Sequence, residues 1–136
     1  MLRMKMERPG DLPALVLAYV GDAVYELAVR SRLVGTGLTR VNRLHSEAVK
    51  YVNAGAQAKI LKRIEDSLTE EEFIVVRRGR NAKSAHTPQG AGVLEYRHST
   101  AMEALIGYLY LKGDAARLDE IMALAFEVVE ENICEK

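Results

Sequence analysis

The stretch "LAYVGDAVYEL", Leu17–Leu27, puts Leu17, Val20, Val24 and Leu27 on one apolar stripe at helical spacing, with Gly21 and Asp22 in its middle. Apolar residues spaced by three and four mark an amphipathic helix. Yet glycine costs about 1 kcal/mol relative to alanine inside a helix, and aspartate gains nothing there from propensity. The pair weakens the element that carries it, so this point of the sequence serves something other than helix stability.

The same spacing continues outward from this stretch, and period-two runs of β-branched residues are nearly absent, which predicts an all-α chain. The first helix is expected from about Leu12, after Pro9-Gly10, to about Leu33, where "GTG" from Gly35 stops it. A second is expected from about Thr39 to Arg63, with Val41, Leu44, Ala48, Val49, Val52, Ala56 and Ile60 on one face. Thr69 and Glu72 have capping-box spacing, with Leu68 and Phe73 placed as a hydrophobic staple, and start a third helix that runs to about Arg80. The segment "NAKSAHTPQGAG", Asn81–Gly92, reads as an exposed loop. A fourth helix follows from about Tyr96 or His98 to Gly113, and Asp114 caps a last one. With 136 residues, these five helices are expected to form a single domain over 1–136.

Composition narrows the class. At 49% hydrophobic and 28% charged residues, with no apolar run of membrane-spanning length and no apolar signal core in "MLRMKMERPGDL", the expectation is a folded cytoplasmic protein with no membrane partner. The single cysteine, Cys134, has no internal disulfide partner, and no Cys/His pattern has zinc spacing. The balance of 19 basic and 19 acidic residues argues against coating nucleic acid by bulk charge. The charges are nevertheless segregated: Arg77 to His98 holds five basic residues against one acidic, and Asp114 to Lys136 holds seven acidic against two basic.

A second acid repeats the oddity of the first. In "STAMEALIGYLYL" Glu103 lies among Met102, Ala104, Leu105 and Ile106. Ionised carboxylates are rarely buried unless paired or bound to metal. If the two helices cross near Asp22 and Glu103, the acids share a hard divalent cation such as magnesium; spacing alone equally fits acids on a solvated side or paired with basic residues.

Together these residues carry a resemblance. "YVGDAVYEL" resembles the signature of the ribonuclease III family, typically Glu-Phe-Leu-Gly-Asp-Ala, and "AMEALIGYLYL" resembles its second motif, with "RGRNAKSAHTP" and "YRHSTAMEALIGYLYL" closest to the short bacterial form that lacks a double-stranded-RNA-binding domain. The resemblance implies the ribonuclease III catalytic fold as an all-α homodimer, with the signature helix across the dimer axis. It implies a Mg2+-dependent endoribonuclease that cuts double-stranded RNA, with maturation of the 23S ribosomal RNA precursor as its task and a ribosomal-protein partner left open. Asp22 and Glu103 are then the catalytic, metal-binding acids, Gly21 permits close approach, and Tyr19 takes the place of the phenylalanine that enters the partner subunit.

The chain departs from the full pattern at two acids, carrying Ala18 four residues before Asp22 and Thr100 three before Glu103. Glu26, one turn after Asp22, either compensates or pairs with Arg30 at i,i+4 spacing. His45 and His98 are read as structural or surface residues before phosphate contacts. Duplex RNA is recognised by shape, 2′-hydroxyls and phosphates, so Arg77, Arg78, Arg80, Asn81, Lys83 and Ser84 are the candidate RNA-binding residues, against the alternative of a solvated helix end. The competing function is a catalytically silent double-stranded-RNA-binding or ribosome-associated protein on the same fold.

Overall fold

The computed structural model describes residues 5–83 and 92–134, all of whose regular elements are helical. Six α-helices follow in order: α1 (Ala14–Gly35), α2 (Val41–Val52), α3 (Ala54–Ile64), α4 (Glu70–Asn81), α5 (Val93–Lys112) and α6 (Ala115–Cys134). Short 3-10 turns precede α1 (Pro9–Asp11) and follow α3 (Glu65–Ser67). No helix among the described residues is long and apolar enough to cross a membrane.

The expected helix over 39–63 is two helices. Asn53 adopts an extended conformation, its Oδ1 accepts from Ala56 N at 2.8 Å, and its Nδ2 donates to Val49 O at 2.8 Å. One side chain thereby ends α2 and starts α3, supplying partners to groups that helix ends leave unpaired. Within α2 itself Ala48 and Tyr51 are buried, whereas Val41 and Val49, expected on the apolar face, are 63% and 57% exposed. The capping box of α4 forms as its spacing predicts, with Glu72 N donating to Thr69 Oγ1 and Thr69 N to Glu72 Oε1. Arg117 of α6 then clamps Glu72 with two 2.9 Å hydrogen bonds. Leu68 packs against the core, but Phe73 is 41% exposed.

Helix α5 is the centre of the molecule, with α1, α3, α4 and α6 packed around it. Ala101, Met102, Ala104, Leu105 and Ile106 are completely buried, and Gly113 closes the helix in the left-handed conformation that glycine adopts without strain. Three glycines let neighbours reach its backbone. A Cβ at Gly21 would overlap the Glu103 carbonyl, one at Gly107 would overlap the Leu17 carbonyl, and one at Gly79 would lie 2.8 Å from Ala101 Cα. The pairings Gly21–Glu103 and Leu17–Gly107 run in opposite chain order, so α1 and α5 cross antiparallel.

This contact gives a direct expectation. Gly21→Ala and Gly107→Ala each force two backbones apart and should destabilise by about 3 kcal/mol, the upper end of overpacking costs. Gly35→Ala, where an added Cβ meets nothing within 4 Å, should be neutral or stabilising by about 0.5 kcal/mol. Urea denaturation of the three variants distinguishes them; a mild Gly21→Ala would show that α1 and α5 separate cheaply.

Candidate active site

The α1–α5 crossing that excludes a side chain at Gly21 brings its neighbour Asp22 against Glu103. Their carboxyl groups stand within hydrogen-bonding reach. Asp22 is exposed and Glu103 half-buried, so the pair lies at the mouth of the crossing. Burial, and then the charge and hydrogen bond of Asp22, push the Glu103 carboxyl up to about 8, with Glu26 adding a smaller push and Gln57 opposing it. Two carboxylates that close cannot both ionise without a cation or a proton between them. Burial and the Asp22 charge thus favour the protonated form of Glu103 when no cation is bound.

A divalent cation fits this arrangement in donor chemistry. The pair offers hard carboxylate oxygens, and magnesium ordinarily takes one or two carboxylates and retains several waters. Glu26, the candidate substitute, and Thr100, at the place of a missing acid, are both engaged elsewhere. Glu26 accepts from Arg30 Nη2 at 3.0 Å, as the i,i+4 spacing predicts, and Thr100 is buried with its hydroxyl donating to Tyr96 O at 3.0 Å. Ala18 is buried within the same packing. Among the described residues no three His, Cys, Asp or Glu side chains cluster as metal ligands. His45 is exposed and His98 half-buried, and Cys134 is an exposed free thiol.

Sequence spacing passes over Gln57, which the structure places beside the acids. It is 3% exposed on the face of α3 that also buries Ile60, Leu61 and Ile64. Its Nε2 donates to Val52 O at 2.9 Å and approaches Glu103 closely enough to favour the ionised carboxylate. The signal in the sequence is a polar residue at an apolar-stripe position, visible only once the phase of α3 is known.

The basic segment divides. Arg77, Asn81 and Lys83 are exposed. Arg78 turns inward, and its guanidinium donates to Gly10 O at 2.5 Å and Leu12 O at 2.6 Å, tying α4 to the turn that leads into α1. Arg80 pairs with Glu65 at 3.5 Å. Ser84 lies outside the described residues. Tyr19 is 82% exposed, which excludes an ordinary core role within one chain; Leu15, Val16 and Leu27 of the same helix are 39%, 42% and 49% exposed.

Known proteins share this architecture and its sequence. The Ribonuclease III domain family matches residues 15–114. A Mini-ribonuclease 3 of Symbiobacterium thermophilum is 52% identical over 127 residues, covering 93% of this chain and 98% of the relative. Another, from a Thermoanaerobacter species, is 54% identical and covers 89% of this chain and 85% of the relative. A crystal structure of a Fusobacterium nucleatum protein superposes with a TM-score of 0.79 at 31% identity, covering 90% of this chain and 98% of that one. A family match across most of the chain, joined to close relatives covered over 85% or more of their length and a shared all-helical fold, establishes that this chain belongs to the ribonuclease III family and is an endoribonuclease.

Proposed function

We propose that the chain forms a homodimer that hydrolyses double-stranded RNA with a divalent cation, magnesium being the natural one, each active site cutting one strand without a covalent enzyme intermediate. The observation that carries this reading is the Asp22–Glu103 pair, two acids held together at the edge of an apolar crossing where burial first, and then the neighbouring Asp22 charge, raise Glu103. Asp22 and Glu103 would hold the cation through their carboxylate oxygens. When bound there, such an ion supplies charge stabilisation at a phosphoryl group and lowers the pKa of a coordinated water. The reciprocal α1–α5 backbone contact holds together the two turns that carry the acids, which supports the reading of a shared site.

Arg77, Lys83 and Asn81 supply an exposed grip for phosphate and sugar at the end of α4. Arg78 and Arg80 contribute by holding that end in place. Leu15, Val16, Tyr19 and Leu27 supply an apolar face on α1 for the second copy, and the whole chain acts as one catalytic unit. The resemblance of the two motifs to the short bacterial form of the family implies the 23S ribosomal RNA precursor as the substrate, with a ribosomal protein as a candidate assistant.

The decisive assay incubates purified protein with long double-stranded RNA in magnesium and in chelator. Cleavage confined to the magnesium sample is expected; retained binding without cleavage would identify a silent RNA-binding protein on this fold. Asp22→Asn and Glu103→Gln should each lower the rate by about a thousandfold, equivalent to about 4 kcal/mol of transition-state stabilisation. Above about pH 8, where Glu103 ionises beside Asp22, neither variant should melt below the parent in chelator, because each then removes like-charge repulsion. Near-parental cleavage by either would remove that residue from the site.

Two further outcomes test the grip and the dimer. Replacing Arg77 and Lys83 together by alanine should flatten the logarithmic salt dependence of duplex binding by about two units, on the scale of about 0.9 per phosphate contact in duplex DNA. Arg78→Ala should instead lower the melting temperature, since it abandons the two carbonyls near the start of α1. Binding measured in calcium over a salt series separates the two effects. Tyr19→Asp should convert a sedimenting dimer to monomer by placing a charge in the apolar contact; a monomeric parent would overturn the interface.

A further inference from the structure

Gln57 is a polar residue that the α1–α5 crossing does not explain. It comes from a third helix, α3, and is almost fully buried. Leaving a buried polar atom unpaired costs about 1–3 kcal/mol, so such atoms call for a reason. The donor half of the carboxamide is engaged: Nε2 reaches both Val52 O, at 2.9 Å, and the Glu103 carboxyl. The acceptor half is not. Gln57 Oε1 is the one buried side-chain oxygen or nitrogen among the described residues without a hydrogen-bond partner. The amide cannot simply be turned round, because that would set Oε1 against the Val52 carbonyl and Nε2 away from the carboxylate.

We propose that Gln57 is a positioning residue for the cation site: its Nε2 orients the Glu103 carboxylate, and its Oε1 accepts a hydrogen bond from a water retained in the cation's hydration shell. The inference rests on the reading of Asp22 and Glu103 as the residues that hold the cation. The chemistry is complementary on both sides. Magnesium dehydrates reluctantly and keeps several waters, each a strong donor, while a buried amide oxygen with a free lone pair is an acceptor that waits for one. Residues that orient metal ligands through hydrogen bonds ordinarily change metal affinity or activity by about 10- to 100-fold when replaced. Gln57 reaches Glu103 from α3, so it also couples the site to the helix that Asn53 starts.

The test measures binding of manganous ion alone by isothermal titration to the parent, Gln57→Met, Gln57→Glu and Asp22→Asn, followed by kcat and KM on double-stranded RNA in magnesium. Gln57→Met keeps the bulk and removes both donor and acceptor, so it should weaken manganous-ion binding about tenfold and lower kcat by a similar factor with KM unchanged. Gln57→Glu keeps an acceptor oxygen and adds a carboxylate but loses the donor to Glu103, so it should bind the ion more tightly than Gln57→Met while its kcat stays as low as that of Gln57→Met. A purely structural role predicts equal losses of ion binding in both variants, tracking their melting temperatures, and would overturn the proposal. Parental ion affinity in Gln57→Met, with Asp22→Asn defective, would also overturn it while leaving the carboxylate pair as the cation site. Absence of ion binding by the parent, or parental binding by Asp22→Asn, would overturn both. Should Gln57→Met fail to fold, Gln57→Asn, which withdraws the amide by one methylene, carries the same comparison.

Discussion

The structure depends on one steric constraint, the contact of the α1 and α5 backbones at Gly21 and Gly107. A helix pair with ordinary side chains at the crossing keeps its axes 8–10 Å apart, on the usual scale of helix packing. Here each helix lays a carbonyl where the other lacks a Cβ, Glu103 O against Gly21 and Leu17 O against Gly107. The approach is reciprocal, which fixes both the register and the direction of the two helices. Everything that surrounds α5, including α4 through Gly79, is then arranged about a helix that is buried on nearly every side.

The constraint has an electrostatic consequence. Residues next to a close-contact position inherit its proximity, and in this chain those neighbours are Asp22 and Glu103 themselves. Packing around α5 buries Glu103 beside Asp22, so burial first and then the Asp22 charge disfavour its ionised form, a cost that a proton or a cation relieves. This is why the glycine of "LAYVGDAVYEL" and its aspartate are one feature. The glycine costs helix stability to permit contact, and the contact costs electrostatic stability to make a site.

Much of this was legible in the sequence for physical reasons that act locally. Helical periodicity, the Thr69–Glu72 capping box and the Gly113 stop depend on residues within a turn of each other, and all are present in the structure. What was not legible depends on distance in the chain. Asn53 reads as one more polar residue until both of its hydrogen bonds are seen, and it divides a helix that periodicity alone would run through. Arg78 and Arg77 are adjacent and identical in type, yet one spends its guanidinium on carbonyls of residues 10 and 12 and the other faces solvent. Gln57 lies 46 positions from Glu103 in sequence, and no spacing rule connects them.

The two positions where the chain lacks the acids of the resembled signature now have a structural meaning. Ala18 and Thr100 are both buried in the helices that form the crossing, and the Thr100 hydroxyl is spent on the Tyr96 carbonyl one turn earlier. Acids at these places would add two charges to a surface that already strains to hold Asp22 and Glu103, at a desolvation cost of several kcal/mol each. With small or self-satisfied side chains there, the crossing closes tightly around two acids. Two carboxylates also fall within the one or two that magnesium ordinarily takes while keeping its waters. The smaller acid set is thus consistent with a site that binds a hydrated cation through few protein ligands and relies on buried neutral groups to place the water around it.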